Sequence, residues 1–133
     1  MSISSAPENG FEFSYPVVVI GGGGTGLCAA LAASDNGAEV LILERDKSLL
    51  GTTAMSTGLI PASGTDEQEA RGIDDSPERF VSDIMGKTKG RTDENAARTL
   101  ANESADTVNW LRQIHNINLN LIDDFLYLSL IHI

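Results

Sequence analysis

The sequence predicts an α/β fold, a βαβ unit with parallel strands followed by α-helices, and three observations carry that expectation. Residues 15–20 (YPVVVI) form a short β-branched run, apolar at every position after Pro16, the pattern of a parallel strand covered on both faces. A glycine-rich turn, GGGGTG at 21–26, follows directly and opens a segment of small and apolar residues, LCAALAASDNG. Residues 38–43 (AEVLIL) form a second buried-type run. Two such strands joined by one short helix make a right-handed crossover.

Each element has a local reason. Pro16 suits the first residue of a strand, where no ladder hydrogen bond is lost. The small residues after Gly26 favour helix, and Asn36 and Gly37 should terminate it. Residues 47–65 are rich in Gly, Ser and Thr without helical period, so they are expected to form a loop packed against a ligand. Ser76 followed by Pro77 is a helix start, cap then first turn, and Phe80, Val81, Ile84 and Met85 give that helix one apolar face. Thr92 is expected to cap a further helix whose Ala96, Ala97, Leu100, Ala101, Val108 and Leu111 keep helical spacing up to about His115. Residues 102–104 are a possible break in it, and 119–127 are strand or irregular. No internal repeat is found.

Composition sets outer bounds. A chain of 133 residues suits one compact domain burying roughly two-thirds of its unfolded surface. With 41% hydrophobic and 21% charged residues it has the make-up of a soluble globular protein. A formal charge of -10 disfavours nucleic acid and anionic membrane as partners, since both need a basic surface. The lone Cys28 excludes an internal disulfide, and two histidines without ligand spacing give no metal site. A cytoplasmic setting is expected. Residues 1–14 lack a basic and apolar leader pattern and are read as a flexible arm.

The glycines carry the first functional signal. Gly21, Gly23 and Gly26 satisfy G-x-G-x-x-G, with a strand before and a helix after. In a Rossmann-like unit the first glycine permits the tight turn, the second lets backbone approach a pyrophosphate, and the third lets helix and strand pack closely. The helix N-terminus then offers unpaired N–H groups and positive potential to phosphate. Glu44 closes the second strand, where a carboxylate accepts from ribose hydroxyls and repels a 2′-phosphate. Arg45 beside it weakens the argument against NADP. A glycine-rich turn of another α/β protein and an S-adenosylmethionine-binding fold remain alternatives at this point.

The fingerprint does not separate FAD from NAD, but the following loop does. Residues 51–65 read GTTAMSTGLIPASGT, small and hydroxyl-bearing, able to bring donors against a pyrophosphate and a flat ring. With the VVVIGGGGTG fingerprint, this G-x-[ST]-x-x-S-x-G loop resembles the flavoprotein family of fumarate reductase, succinate dehydrogenase and ketosteroid dehydrogenase. The resemblance runs over residues 15–127, with its specific motifs between 17 and 65. It implies a Rossmann-like FAD-binding fold in which Gly21, Gly23, Thr25, Gly26 and Glu44 hold the ADP half. Arg45, Thr52, Thr53, Ser56 and Gly58 are implied as contacts toward pyrophosphate and flavin. Family members with covalent flavin supply a histidine in this loop; this chain has none before His115, so noncovalent FAD is expected.

The domain organisation expected is an arm (1–14), a partial N-terminal FAD-binding domain (15–127) and a doubtful tail (128–133). The family's substrate domain would follow residue 127, so the chain is read as a fragment, inactive alone, with catalytic residues beyond its end. The resemblance implies hydride transfer between flavin N5 and a C–C bond next to a carboxylate or carbonyl. An NAD-dependent dehydrogenase fragment and a non-catalytic nucleotide-binding module are the alternatives.

Other features have structural readings. Gly86-Lys87-Thr88 lacks the first glycine of a P-loop and should close a helix. Cys28, flanked by Leu27, Ala29 and Ala30, is read as a small core residue. His115 is a helix-end or surface group, and Trp110 and Leu111 are core. Asp123 and Asp124 would point to opposite faces of a strand, and the acids at 66–69 and 74–75 are read as solvated loop charges.

Overall fold

The computed structural model describes residues 5–49 and 51–122, which divide into two compact units, Met1–Gly58 and Leu59–Ile133. The readings for Asp123, Asp124 and residues 128–133 lie outside the described residues.

The first unit is the βαβ crossover. Strand β1 (Val17–Ile20) leads through the glycine turn into helix α1 (Gly24–Asp35) and strand β2 (Val40–Leu43). The strands pair in parallel, Val17 with Val40 through Ile20 with Leu43. The helix ends where expected. The Asn36 side chain donates to the Ala32 carbonyl at 2.8 Å, and Gly37 turns the chain away at φ 80°, a conformation glycine adopts without Cβ strain.

Among the described residues the strands are not covered on both faces, contrary to what their apolar runs predict. Helix α1 packs on both strands, yet Val18, Ile20 and Leu43 are exposed, Ile20 at 86%. Thus only one sheet face is covered among the described residues. A single crossover helix covers a single face; the continuous apolar runs are those of strands that meet partners on both sides.

The second unit is helical, with α2 (Asp66–Ala70), α3 (Pro77–Thr88) and α4 (Glu94–Gln113). The acids at 66–69 are helical instead of loop charges. Thr65 and Gln68 form a reciprocal capping box, which satisfies two otherwise orphaned N–H groups. Gln68 is fully buried, accepting from the Thr65 amide at 2.8 Å and donating to Asp75 Oδ2 at 3.0 Å. Asp75 is therefore no solvated charge either. Burial pushes its carboxyl above the usual range, although the Ser76 amide and Gln68 side chain act the other way.

Helix α3 starts as its sequence dictates, with the Ser76 hydroxyl accepting from the Arg79 amide and Pro77 in the first turn. It closes at Gly86-Lys87-Thr88, with Lys89 left-handed at φ 54°. Helix α4 is capped by Asp93, whose carboxylate accepts from the Asn95 and Ala96 amides, not by Thr92. It runs unbroken through 102–104, because Ser104 bonds back to the Ala101 carbonyl at 2.8 Å and takes a place in the buried stripe Ala97, Ala101, Ser104, Val108 and Leu111. Leu100, by contrast, is exposed. Phe80, Val81 and Ala101 form one core cluster, with Ile84 and Met85 against it. Ala62, Val108 and Leu121 form another. Residues 119–122 are largely irregular. Among the described residues no helix is long and apolar enough to cross a membrane.

Candidate cofactor site

Strand register assembles the site. Because Ile20 pairs with Leu43, the next positions, Gly21 and Glu44, leave the sheet side by side. The Gly21 amide donates to the Leu43 carbonyl at 2.8 Å, extending the ladder by one residue. Gly21 then turns at φ 101°, a region that an L side chain rarely adopts. Gly26 has a different reason. A Cβ there would lie 2.0 Å from the Gly21 carbonyl oxygen and 3.3 Å from Val19 Cγ1, so the helix can cross the strand this closely only with hydrogen at that position.

Gly23 is the N-cap of α1, in extended backbone, and makes no side-chain cap bond. A Cβ on it would meet nothing within 4 Å, so the backbone there faces open space. Among the residues beside it, the Gly24 amide donates to Thr53 Oγ1 at 3.3 Å. Thr25 sits exposed in the first turn of α1.

Glu44 reaches back across the turn. Its Oε2 accepts from the Gly22 amide at 2.8 Å and its Oε1 from the Asp46 amide at 3.0 Å. The Asp46 amide first, and the Gly22 amide second, hold its carboxyl below the usual carboxylate range. Two amide bonds use about half of a carboxylate's roughly four acceptor positions, leaving the remainder for hydroxyl donors. Arg45 turns to its neighbour instead, with Nε 3.3 Å from Asp46 Oδ1, and is largely exposed.

A cavity of about 230 Å³ lies against the turn, lined by Gly22, Gly23, Gly24, Leu27, Leu49, Gly51, Thr53 and Ala54. Of the residues expected from sequence, Gly23 and Thr53 line it, and Gly21, Thr25, Gly26 and Glu44 lie outside the lining. Thr52 is exposed and outside the lining. Ser56 and Gly58 act within the loop: Ser56 Oγ donates to the Thr53 carbonyl at 2.7 Å and accepts from the Gly58 amide at 3.1 Å. Leu27, Leu49, Gly51 and Ala54 were not expected. Gly51 and Ala54 lie inside the loop that composition singled out, while an isolated leucine carries no pattern.

These residues fit a dinucleotide: an open face at Gly23, helix N–H groups, and a carboxylate with free acceptor capacity. A larger cavity of about 580 Å³ in the second unit is lined by Asp66, Glu67, Ala70, Arg112, Gln113 and residues 116–120, in which asparagines alternate with Ile117 and Leu119. Its charged groups have partners of their own: Arg112 pairs with Glu67 at 3.0 Å, and Asp66 accepts from the Gln113 side-chain amide at 2.6 Å. Cys28 is half-buried on α1. In the second unit the His115 and Trp110 rings meet edge-on, centroids 4.5 Å apart. No cluster of three or more potential metal ligands occurs among the described residues.

Comparison with known proteins gives the same direction. The chain is 34% identical over 110 residues to a fumarate reductase (cytochrome) of Shewanella frigidimarina, covering 83% of this chain and 19% of that protein. Its fold matches the open conformation of a flavocytochrome c3 fumarate reductase with TM-score 0.76 and 32% identity, over 89% of this chain and 21% of that one. It also matches a 3-ketosteroid-delta4-(5alpha)-dehydrogenase of Rhodococcus jostii RHA1 with TM-score 0.68 and 35% identity, over 78% of this chain and 22% of that one. The chain thus spans about a fifth of the length of these relatives. Residues 16–126 match the FAD binding domain family, and the chain belongs to that family of FAD-dependent flavoproteins.

Proposed function

We propose that this chain is the cofactor grip of a flavin-dependent oxidoreductase, and that the whole protein transfers hydride between flavin N5 and a C–C bond next to a carboxylate or carbonyl. The names of its relatives, fumarate reductase and 3-ketosteroid dehydrogenase, support both substrate classes. The observation that carries the grip is the Glu44–Gly22 bond of 2.8 Å, which fixes a carboxylate beside the open glycine turn. Bound there, FAD would supply a two-electron acceptor and donor. The chain's own part is binding: Gly21 and Gly26 shape the turn, Gly23 gives close approach, and Glu44 takes the ribose hydroxyls. Thr25, Arg45, Thr52, Thr53, Ser56 and Gly58 are proposed as further contacts or supports, Arg45 after leaving Asp46.

The FAD is held noncovalently, a reading supported by the absence of histidine from residues 1–114. A cytoplasmic setting accords with the single cysteine, and small carboxylates or ketones are proposed as the whole protein's substrates.

Titrating the chain with FAD tests the grip. Glu44→Gln should weaken binding by roughly ten- to a hundredfold, from lost charge-assisted hydrogen bonds; unchanged affinity would sink the ribose assignment. For the chemistry, the longer protein reduced with dithionite should be reoxidised by fumarate or an unsaturated ketone. Reoxidation by neither, with FAD bound, would favour a nucleotide-binding module without its own reaction.

A further inference from the structure

Loop residues 51–56 form a hydrogen-bonded turn of their own. The Met55 amide donates to the Gly51 carbonyl at 3.3 Å and the Ser56 amide to the Thr53 carbonyl at 3.2 Å, and the Ser56 hydroxyl reinforces the latter at 2.7 Å. This turn forms one wall of the cavity against Gly22, Gly23 and Gly24. Its attachment to that opposite wall is slight. Thr53 Oγ1 accepts the Gly24 amide at 3.3 Å, and a Cβ on Gly51 would come within 3.8 Å of Gly23 Cα. Beside them Leu49 Cδ2 lies 2.4 Å from where a Gly22 Cβ would be. Among the described residues the turn is therefore tied internally by three bonds but to the glycine turn by a single long one and by apolar contact.

We propose that residues 51–56 are a lid over the glycine turn, latched by Thr53 on the Gly24 amide, and that FAD enters and leaves by its opening. The inference rests on the FAD-grip reading. A rigid turn held shut by one neutral hydrogen bond opens as a body. Gly58, at φ 76°, supplies a joint at its far end that a residue with a Cβ would stiffen. Gly24, the first residue of α1, has no intrahelical acceptor for its amide, so opening the lid sends that N–H to water or to a phosphate oxygen. The latch and the cofactor therefore draw on the same helix terminus. Leu49, at the side of the turn over Gly22, adds an apolar seal whose loss lowers the same barrier.

Stopped-flow mixing of the chain with FAD, followed by flavin fluorescence, tests this. If opening precedes entry, the observed rate should level off at high FAD, at the opening rate. Thr53→Val removes the acceptor while keeping the shape, and it should raise that plateau roughly three- to tenfold, the value of one neutral hydrogen bond. Thr53→Ser, which keeps the hydroxyl, should leave the plateau near the parent value, and Leu49→Ala should raise it. Hydrogen exchange at the Gly24 amide of the unmixed chain should quicken in the Thr53→Val and Leu49→Ala variants and stay near the parent rate in Thr53→Ser. A rate rising linearly with FAD, or a plateau unmoved by Thr53→Val, overturns the lid while leaving FAD binding intact. Faster release with an unmoved plateau would make Thr53 a simple cofactor contact and would likewise overturn the latch. Absence of any FAD signal in all variants would instead refute the grip itself.

Discussion

Replacing Gly26 by alanine gives a test in which two physical effects have opposite signs. Gly26 lies in the first turn of α1, where alanine would by helix propensity alone stabilise by up to about 1 kcal/mol. Against that, the new Cβ would sit 2.0 Å from the Gly21 carbonyl oxygen and 3.1 Å from its carbon. Carbon and oxygen meet comfortably at roughly 3.3 Å, so helix or strand must retreat by more than about 1 Å. The obstacle is backbone, and Gly21 is itself tied to the Leu43 carbonyl at 2.8 Å, so no rotamer change relieves it. Overpacking of this kind costs about 3 kcal/mol, at the upper end of its usual range. Net destabilisation of about 2 kcal/mol should lower the unfolding midpoint of the first unit by on the order of 10 °C. Gly86 in α3 is the control. A Cβ there meets nothing within 4 Å, so Gly86→Ala should stabilise the second unit by up to about 1 kcal/mol. Thermal unfolding followed by circular dichroism, with backbone amide exchange assigning each change to its unit, gives both signs. A Gly26→Ala chain as stable as the parent would refute the close crossing of α1 over β1.

Three further outcomes follow from the same geometry. Gln68→Ala should destabilise the second unit by about 2–3 kcal/mol in urea titration, since it strands the buried Thr65 amide and the Asp75 carboxyl; an effect below about 0.5 kcal/mol, the level of an ordinary surface change, would mean that these groups find other partners. The Glu44 carboxyl is held low by its two amides, so its contribution to the first unit is full above about 4.5, its ordinary value. It is lost as pH falls through the depressed folded value, and Glu44→Gln should abolish that part of the acid transition; an identical transition in the variant would count against the Gly22 and Asp46 bonds. Precipitating the FAD-loaded chain with acid should release all flavin to the supernatant, and yellow colour kept in the pellet would contradict noncovalent attachment.

The crossover was legible because each part carries its own local signal: a β-branched run, glycines where a Cβ cannot fit, and an Asn-Gly stop. Helix α2 was not, since five residues are too few for a 3.6-residue period to show. Its signal was the Thr65-x-x-Gln68 spacing, which is a capping box and outweighs the acidic character of residues 66–69. The cap at Asp93 instead of Thr92 was a choice between adjacent capping residues, decided by which side chain meets the Asn95 and Ala96 amides. At the site, Arg45, which the family resemblance implies as a contact toward pyrophosphate and flavin, pairs with its immediate neighbour Asp46, an opposite charge available at no loop-closure cost. The exposed face of Val18 and Ile20 shows what an apolar strand does not reveal. It states that both faces suit burial, without saying which segment covers them.

The more telling relation is between register and chemistry. Glu44 and Gly22 are 22 residues apart in sequence and 2.8 Å apart in space, and no motif spacing alone enforces that distance. The parallel pairing of Ile20 with Leu43 does, because the side chain emerging one residue after β2 is then level with the turn that follows β1. A one-residue slip would carry the carboxylate to the opposite face of the sheet and break the bond. The hydrophobic pattern of two four-residue strands therefore places a charge as well as a core. This makes the acid at the end of β2 a more discriminating feature than the glycines before α1, which any tight strand-to-helix turn can contain.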